Sequence, residues 1–185
     1  MPARTFRPSR RPEALLCDRD GTLIVDVPYN HDPAKVEPLP GVADALRLAR
    51  AAGLRVGVVS NQSGVARQLI SSEQLHRVNA RVCELLGPLD VIVCCPHGED
   101  DGCTCRKPRP GLVTMAANLL GVSPSACVMI GDTGADLAAA HGAGAIGMLV
   151  PNDATMPLEL RGVAHLHADF ASAVDAVVAW RAEAA

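Results

Sequence analysis

The chain has 185 residues, 49% of them hydrophobic, and a formal net charge of −3, enough for one domain with a sizeable core. That charge makes no electrostatic case for nucleic acid, and the only aromatics, Phe6, Tyr29, Phe170 and Trp180, leave no platform on which bases could stack. No apolar run is long enough for a signal peptide or a membrane span, so the expectation is a cytoplasmic protein with no membrane partner.

Residues 1–12 carry Arg4, Arg7, Arg10 and Arg11 among prolines and read as a disordered basic leader, followed by a single domain over 13–185. The first predicted strand is Ala14-Leu15-Leu16-Cys17, and it runs straight into Asp18-Arg19-Asp20-Gly21-Thr22. Strand side chains alternate, but at a Gly-containing turn both carboxylates can swing toward one ligand. Such a pair supplies a carboxylate nucleophile, Asp18, and a second carboxyl, Asp20, to handle a leaving group's proton. The same stretch also reads as an ordinary polar turn.

A Pro-rich excursion over 25–40 leads into a helix from Gly41 to Ala52, stopped by Gly53. A Val-rich strand over 54–60 follows, then a helix capped at Ser71 or Ser72 and reaching Leu86, and a strand over 89–94. A helix over 110–120, a strand over 126–130, a helix including 137–142, a strand over 146–150 and a closing helix over 170–183 complete the alternation. This order predicts an α/β fold, a three-layer, Rossmann-like, doubly wound parallel sheet. The segments between its motifs are too short for a large cap domain.

Ligands of such sheets sit outside the carboxyl ends of the strands, and polar residues collect there. Ser60, Asn61, Gln62 and Ser63 offer a hydroxyl and backbone amides to phosphate oxygens, or a turn or helix cap. Lys107 can neutralise phosphate charge and Arg106 can grip a substrate oxyanion, unless both belong to a solvated basic loop. Asp132 and Asp136 can complete an oxygen-rich cage with Asp18 that suits Mg²⁺, though Asp136 also sits where a helix cap belongs.

Of seven cysteines, Cys17, Cys83 and Cys127 lie in apolar runs and read as buried small hydrophobes. Cys95, His97, Cys103 and Cys105 have metal-like spacing and form a complete tetrahedral set for a structural Zn²⁺, leaving Cys94 as a spare thiol. The other reading is a loop of free cysteines. His141, His165 and His167 have no partner at ligand spacing and read as surface or satisfied histidines, and His31 as a polar turn residue.

These motifs, in this order over 14–150, resemble the haloacid dehalogenase superfamily. The resemblance implies Asp18 as nucleophile, Asp20 as general acid/base, Ser60 and Lys107 as phosphate stabilisers, and Asp18, the Asp20 backbone carbonyl and Asp132 as ligands of a catalytic Mg²⁺. The Cys95 to Cys105 block, Ser60-Asn61-Gln62-Ser63-Gly64-Val65-Ala66-Arg67 and Cys105-Arg106-Lys107-Pro108 are similar to its histidinol-phosphate and heptose-bisphosphate phosphatase branch. By that resemblance Asp18, Arg19, Asp20, Asp26, Val27, Pro28, Tyr29, Ser60 to Ser63, Arg106 and Lys107 contact a small phosphorylated sugar. A monomer is expected, though no interface can be read from the sequence. The implied reaction is removal of the 7-phosphate from a heptose 1,7-bisphosphate. Histidinol phosphate or another small phosphomonoester is the alternative substrate, and a non-catalytic zinc-containing scaffold the alternative of another class. Gln68 departs from the pattern, standing where the family usually has Gly, and the five residues between His97 and Cys103 are fewer than in many heptose enzymes.

Overall fold

A computed structural model describes residues 10–184. Most of the predicted leader lies outside the described residues, but its last residues are tied down. Arg11 Nε donates to the Arg181 carbonyl at 3.1 Å, and Arg181 Nη1 donates to the Pro12 carbonyl at 2.5 Å.

Five parallel strands form one sheet: β1 (Ala14–Cys17), β2 (Arg55–Asn61), β3 (Val91–Cys95), β4 (Cys127–Gly131) and β5 (Ile146–Leu149), in the order β3-β2-β1-β4-β5. β1 is central because the chain winds outward through β2 and β3, then returns to β1's other side for β4 and β5. Alternation along the strands divides the core. Leu15, Cys17, Val56, Val58, Val128 and Ile130 face one layer of helices, α1 (Val42–Ala51), α2 (Ser72–Leu86) and α5 (Phe170–Glu183). Ala14, Leu16, Val59, Val93, Cys127 and Met129 face the other, α3 (Gly111–Leu120) and α4 (Gly134–Ala143). These are the three predicted layers. Leu15 and Leu16 are fully buried, so truncating either to Ala costs about 2–5 kcal/mol.

Boundaries move where a side chain replaces a backbone partner. Ser71 and Gln74 close a capping box that starts α2 at Ser72. α4 starts at Gly134, ahead of its apolar residues, because Thr133 and Asp136 cap it. β3 begins at Val91, two residues late, after the Asp90 carboxylate accepts from the Val56 N–H at 2.7 Å. The excursion between β1 and α1 holds only a 3-10 turn, Pro33–Lys35, so no cap domain is inserted there. No described helix is long and apolar enough to cross a membrane.

Candidate active site and metal centre

Asp18 leaves β1 at the sheet's centre, its N–H donating to Ile130 on β4 at 2.9 Å. Register places Cys17 beside Ile130, so Asp18 and Asp132 emerge side by side at the point where the winding reverses. Oxygens of Asp18, Asp132 and Asp136 all lie within 4.8 Å of one another. Lys107 reaches into this group from the loop after β3, with Nζ 2.7 Å from Asp18 Oδ1 and 2.6 Å from Asp136 Oδ1. Nζ also donates to the Val59 carbonyl at 2.9 Å. Burial works against the lysine's charge, and Asp136 and Asp18 more than offset it, so its pKa is raised.

Asp136 does both things the sequence left open. Its Oδ2 accepts from the Thr133 N–H and hydroxyl as a helix cap, while Oδ1 faces Lys107. Both oxygens are thereby engaged. Gly131 is required beneath it, since a Cβ there would collide with the Asp136 side chain. Asp132 is held by three residues: Thr22 Oγ1 donates to Oδ1 at 3.3 Å, Asn152 Nδ2 to Oδ2 at 2.8 Å, and Thr155 Oγ1 to the Asp132 carbonyl at 2.7 Å.

Three carboxylates facing one ammonium leave an excess of buried negative charge. Burial pushes the Asp18 carboxyl up to about 7, against the pull of Lys107 and with the help of Asp136 and Asp132. Asp132 is raised too, by burial first and then by Asp136. An oxygen-only donor set short of positive charge fits a hard divalent cation.

Asp20 stands outside this cluster. Arg19 grips it twice, Nε to Oδ1 at 3.1 Å and Nη2 to Oδ2 at 2.9 Å, and Gln62 Nε2 donates to Oδ2 at 2.7 Å. Arg19 is buried and anchored in turn by Asn79 of α2, at 2.7 Å. Ser60, at the end of β2, is buried and accepts from the same Gln62 Nε2 at 2.8 Å. Asn61 clamps the Lys107 backbone, donating to its carbonyl and accepting from its N–H, both at 3.0 Å.

A cavity of about 290 Å³ opens beside Asp20, lined by Arg19, Asp20, Asp26 to Asn30 and Asn61 to Gly64. It gathers most of the residues expected to contact substrate. Arg106 is not among them. Its Nη2 lies 3.3 Å from Glu99, toward the Cys/His loop, and its Nη1 is buried without a partner among the described residues.

Strand alternation separates the two cysteines of β3. Cys94 turns toward α2, accepting from Asn79 Nδ2 at 3.6 Å, while Cys95 points to the opposite face. There Cys95 Sγ lies 3.1 Å from Cys105 Sγ and 3.7 Å from Cys103 Sγ, and His97 Nδ1 lies 3.4 and 3.3 Å from the sulfurs of Cys95 and Cys105. A tetrahedral shell with metal–sulfur bonds of about 2.3 Å has sulfur–sulfur edges of about 3.8 Å, so these donors are slightly closer than a zinc ion would hold them. Burial pushes the Cys95 thiol up to about 12, while the Arg106 backbone N–H draws Cys103 down to about 6. The donor set fits zinc.

Sequence reasoning missed Asn79, Asn152 and Thr155, each a lone polar residue with no motif around it. Among the other histidines, His31 and His141 are exposed, and His165 is buried edge-on against Trp180, its ring 5.0 Å away.

Comparison with known proteins was made on the sequence and on the fold. A family model described as haloacid dehalogenase-like hydrolase matches residues 25–144. The D-glycero-beta-D-manno-heptose-1,7-bisphosphate 7-phosphatase of Pseudomonas putida is 40% identical over 141 residues, spanning 74% of this chain and 81% of that protein. That of Haemophilus influenzae is 36% identical over 141 residues, 71% of this chain and 77% of the relative. The crystal structure of D,D-heptose 1,7-bisphosphate phosphatase from B. bronchiseptica, complexed with magnesium and phosphate, superposes with a TM-score of 0.80 at 30% identity, covering 90% of this chain and 98% of that one.

Proposed function

The chain belongs to the haloacid dehalogenase-like hydrolases, and from that membership we propose a Mg²⁺-dependent phosphatase that removes the 7-phosphate of D-glycero-D-manno-heptose 1,7-bisphosphate and leaves the 1-phosphate in place. The observation that carries the chemistry is the meeting of Asp18, Lys107, Asp132 and Asp136 at the sheet's switch point, beside a cavity walled by Asp20. The substrate rests on the relatives at 34–40% identity whose names specify that bisphosphate.

In this reading Asp18 attacks phosphorus through the oxygen that Lys107 does not hold. The phosphorus–oxygen bond to the sugar breaks, and Asp20 gives the departing oxygen a proton. Asp20, now ionised, then takes a proton from water as the water oxygen bonds to phosphorus. The bond from phosphorus to Asp18 breaks, and phosphate leaves with the carboxylate restored. Ser60 donates to a phosphoryl oxygen, and Lys107, its three hydrogens held by Asp18, Asp136 and the Val59 carbonyl, stabilises the phosphoryl group by its charge. Asp136, spent on Thr133 and Lys107, orients the ammonium.

Asp18, Asp132 and the Asp20 backbone carbonyl would hold Mg²⁺, which when bound neutralises carboxylate and phosphoryl charge. Cys95, His97, Cys103 and Cys105 would hold a structural Zn²⁺, with no position left open for water. Arg106 would meet the second phosphate by exchanging its Glu99 partner for it. A monomer in the cytoplasm is the proposed working unit, and thiols such as Cys17 and Cys94 suit that reducing compartment. Steady-state assays comparing heptose bisphosphate with histidinol phosphate test the substrate. Superior turnover of histidinol phosphate sinks the heptose assignment.

A further inference from the structure

Resting on the phosphatase reading, we propose that Gln62 is a positioning residue that sets the orientation of Asp20 and Ser60 together. The side chain is 7% exposed and lies between the two, its Nε2 donating to Asp20 Oδ2 at 2.7 Å and to Ser60 Oγ at 2.8 Å. Asp20 Oδ2 already accepts from Arg19 Nη2, so it meets Gln62 as an acceptor and the nitrogen end of the amide must face it. Its two hydrogens are thereby spent, one on each partner.

The consequence falls on the Ser60 hydroxyl, which owns one hydrogen and two lone pairs. Gln62 occupies a lone pair, so the hydroxyl hydrogen is directed away from the amide, toward the phosphoryl group at the carboxyl end of β2. The same amide holds Asp20 at Oδ2, alongside the two Arg19 bonds at 3.1 and 2.9 Å. The main chain beneath the amide is fixed as well, the Gln62 backbone N–H donating to the Cys95 carbonyl at 2.7 Å. Rotating the amide breaks both side-chain bonds at once, so the phosphate donor and the acid/base keep or lose their aim as a unit.

The test compares the full-length wild type with Gln62→Glu and Gln62→Leu, in magnesium, on heptose 1,7-bisphosphate and on p-nitrophenyl phosphate, whose leaving group needs no proton. Gln62→Glu keeps the shape and removes both hydrogens. Both variants are expected to lose about 10²-fold in the pre-steady-state rate of leaving-group release from the bisphosphate, with KM within about threefold, but about tenfold or less from p-nitrophenyl phosphate, whose departure needs no proton from Asp20 so that only the Ser60 contribution is lost in that step. Equal losses on the two esters, a rise in KM at unchanged kcat, or a Gln62→Glu protein with wild-type turnover would each overturn the assignment. Gln62→Met replaces Gln62→Leu where thermal unfolding finds the latter misfolded. A wild type inactive on both esters overturns the phosphatase reading and this inference with it.

Discussion

The carboxylate cluster and the cysteine clasp hold four groups each, yet they are built in opposite ways. Asp18, Lys107, Asp132 and Asp136 follow three different strands, β1, β3 and β4, are buried or half-buried, and are bound together by charge. Cys95, the last residue of β3, and His97, Cys103 and Cys105 of the loop after it come from one short segment and meet through local chain reversal. The cluster therefore depends on the whole sheet, whereas the clasp needs little beyond its own segment. In the proposed mechanism the chemistry sits on the long-range framework and positioning on the local staple, as expected where a loop must aim Lys107 at residues it does not neighbour in sequence.

Replacing Asp18 with Asn strikes the cluster hardest. It keeps the shape and removes the nucleophile, so phosphate release should fall by about 10⁴-fold or more while the unfolding transition survives. Turnover near that of the wild type would remove Asp18 from its role and reduce the cluster to an ion pair.

Lys107→Met asks whether the cluster is also a structural liability. Without the ammonium, Asp18 and Asp136 lose their shared counter-charge in a buried site, so the metal-free protein should be destabilised by about 3–5 kcal/mol in denaturant titrations. Magnesium should restore part of that stability, but turnover should stay down by about 10³-fold because the phosphoryl group loses its fixed cation. Unchanged stability would mean that the carboxylates are already relieved by protonation.

The clasp should respond more mildly. Cys105→Ser is expected to lower bound zinc from about one equivalent per chain, measured by elemental analysis. The loop carrying Lys107 then loosens, and a misplacement of about 1 Å costs at most about 10²-fold in turnover. Loss as complete as with Asp18→Asn would place the clasp inside the chemistry and erase the contrast between the two regions.

The same contrast explains what could be read from the sequence. The clasp was legible from spacing alone, and the strand-helix alternation from periodicity, because both are local signals. The cluster was legible only because four strand-end motifs arrived in a familiar order, and the dual role of Asp136 as cap and Lys107 partner needed coordinates. Asn152 was invisible, since it donates to Asp132 and to the Gly21 carbonyl from a turn with no pattern of its own. Arg106 was legible as a cation beside Lys107 but not as the partner of Glu99, because side-chain direction in a turn is set by the packing around it.

Gln68 joins the two regions and should show the smallest effect. It ends the turn after β2 whose Ala66 N–H donates to the Pro96 carbonyl at 3.1 Å, so this turn braces the clasp against the Ser60 loop. Its φ of 57° lies in the left-handed region, which costs a residue with a Cβ about 1–2 kcal/mol. Glycine escapes that cost but brings about 0.5–1 kcal/mol of extra unfolded-state entropy. Gln68→Gly should therefore gain up to about 1 kcal/mol with turnover and zinc content unchanged, because the difference of these two terms is all that the substitution alters. A destabilised Gln68→Gly protein, found by chemical denaturation, would mean that the glutamine side chain supports the brace, and that the clasp is less self-sufficient than its local construction indicates.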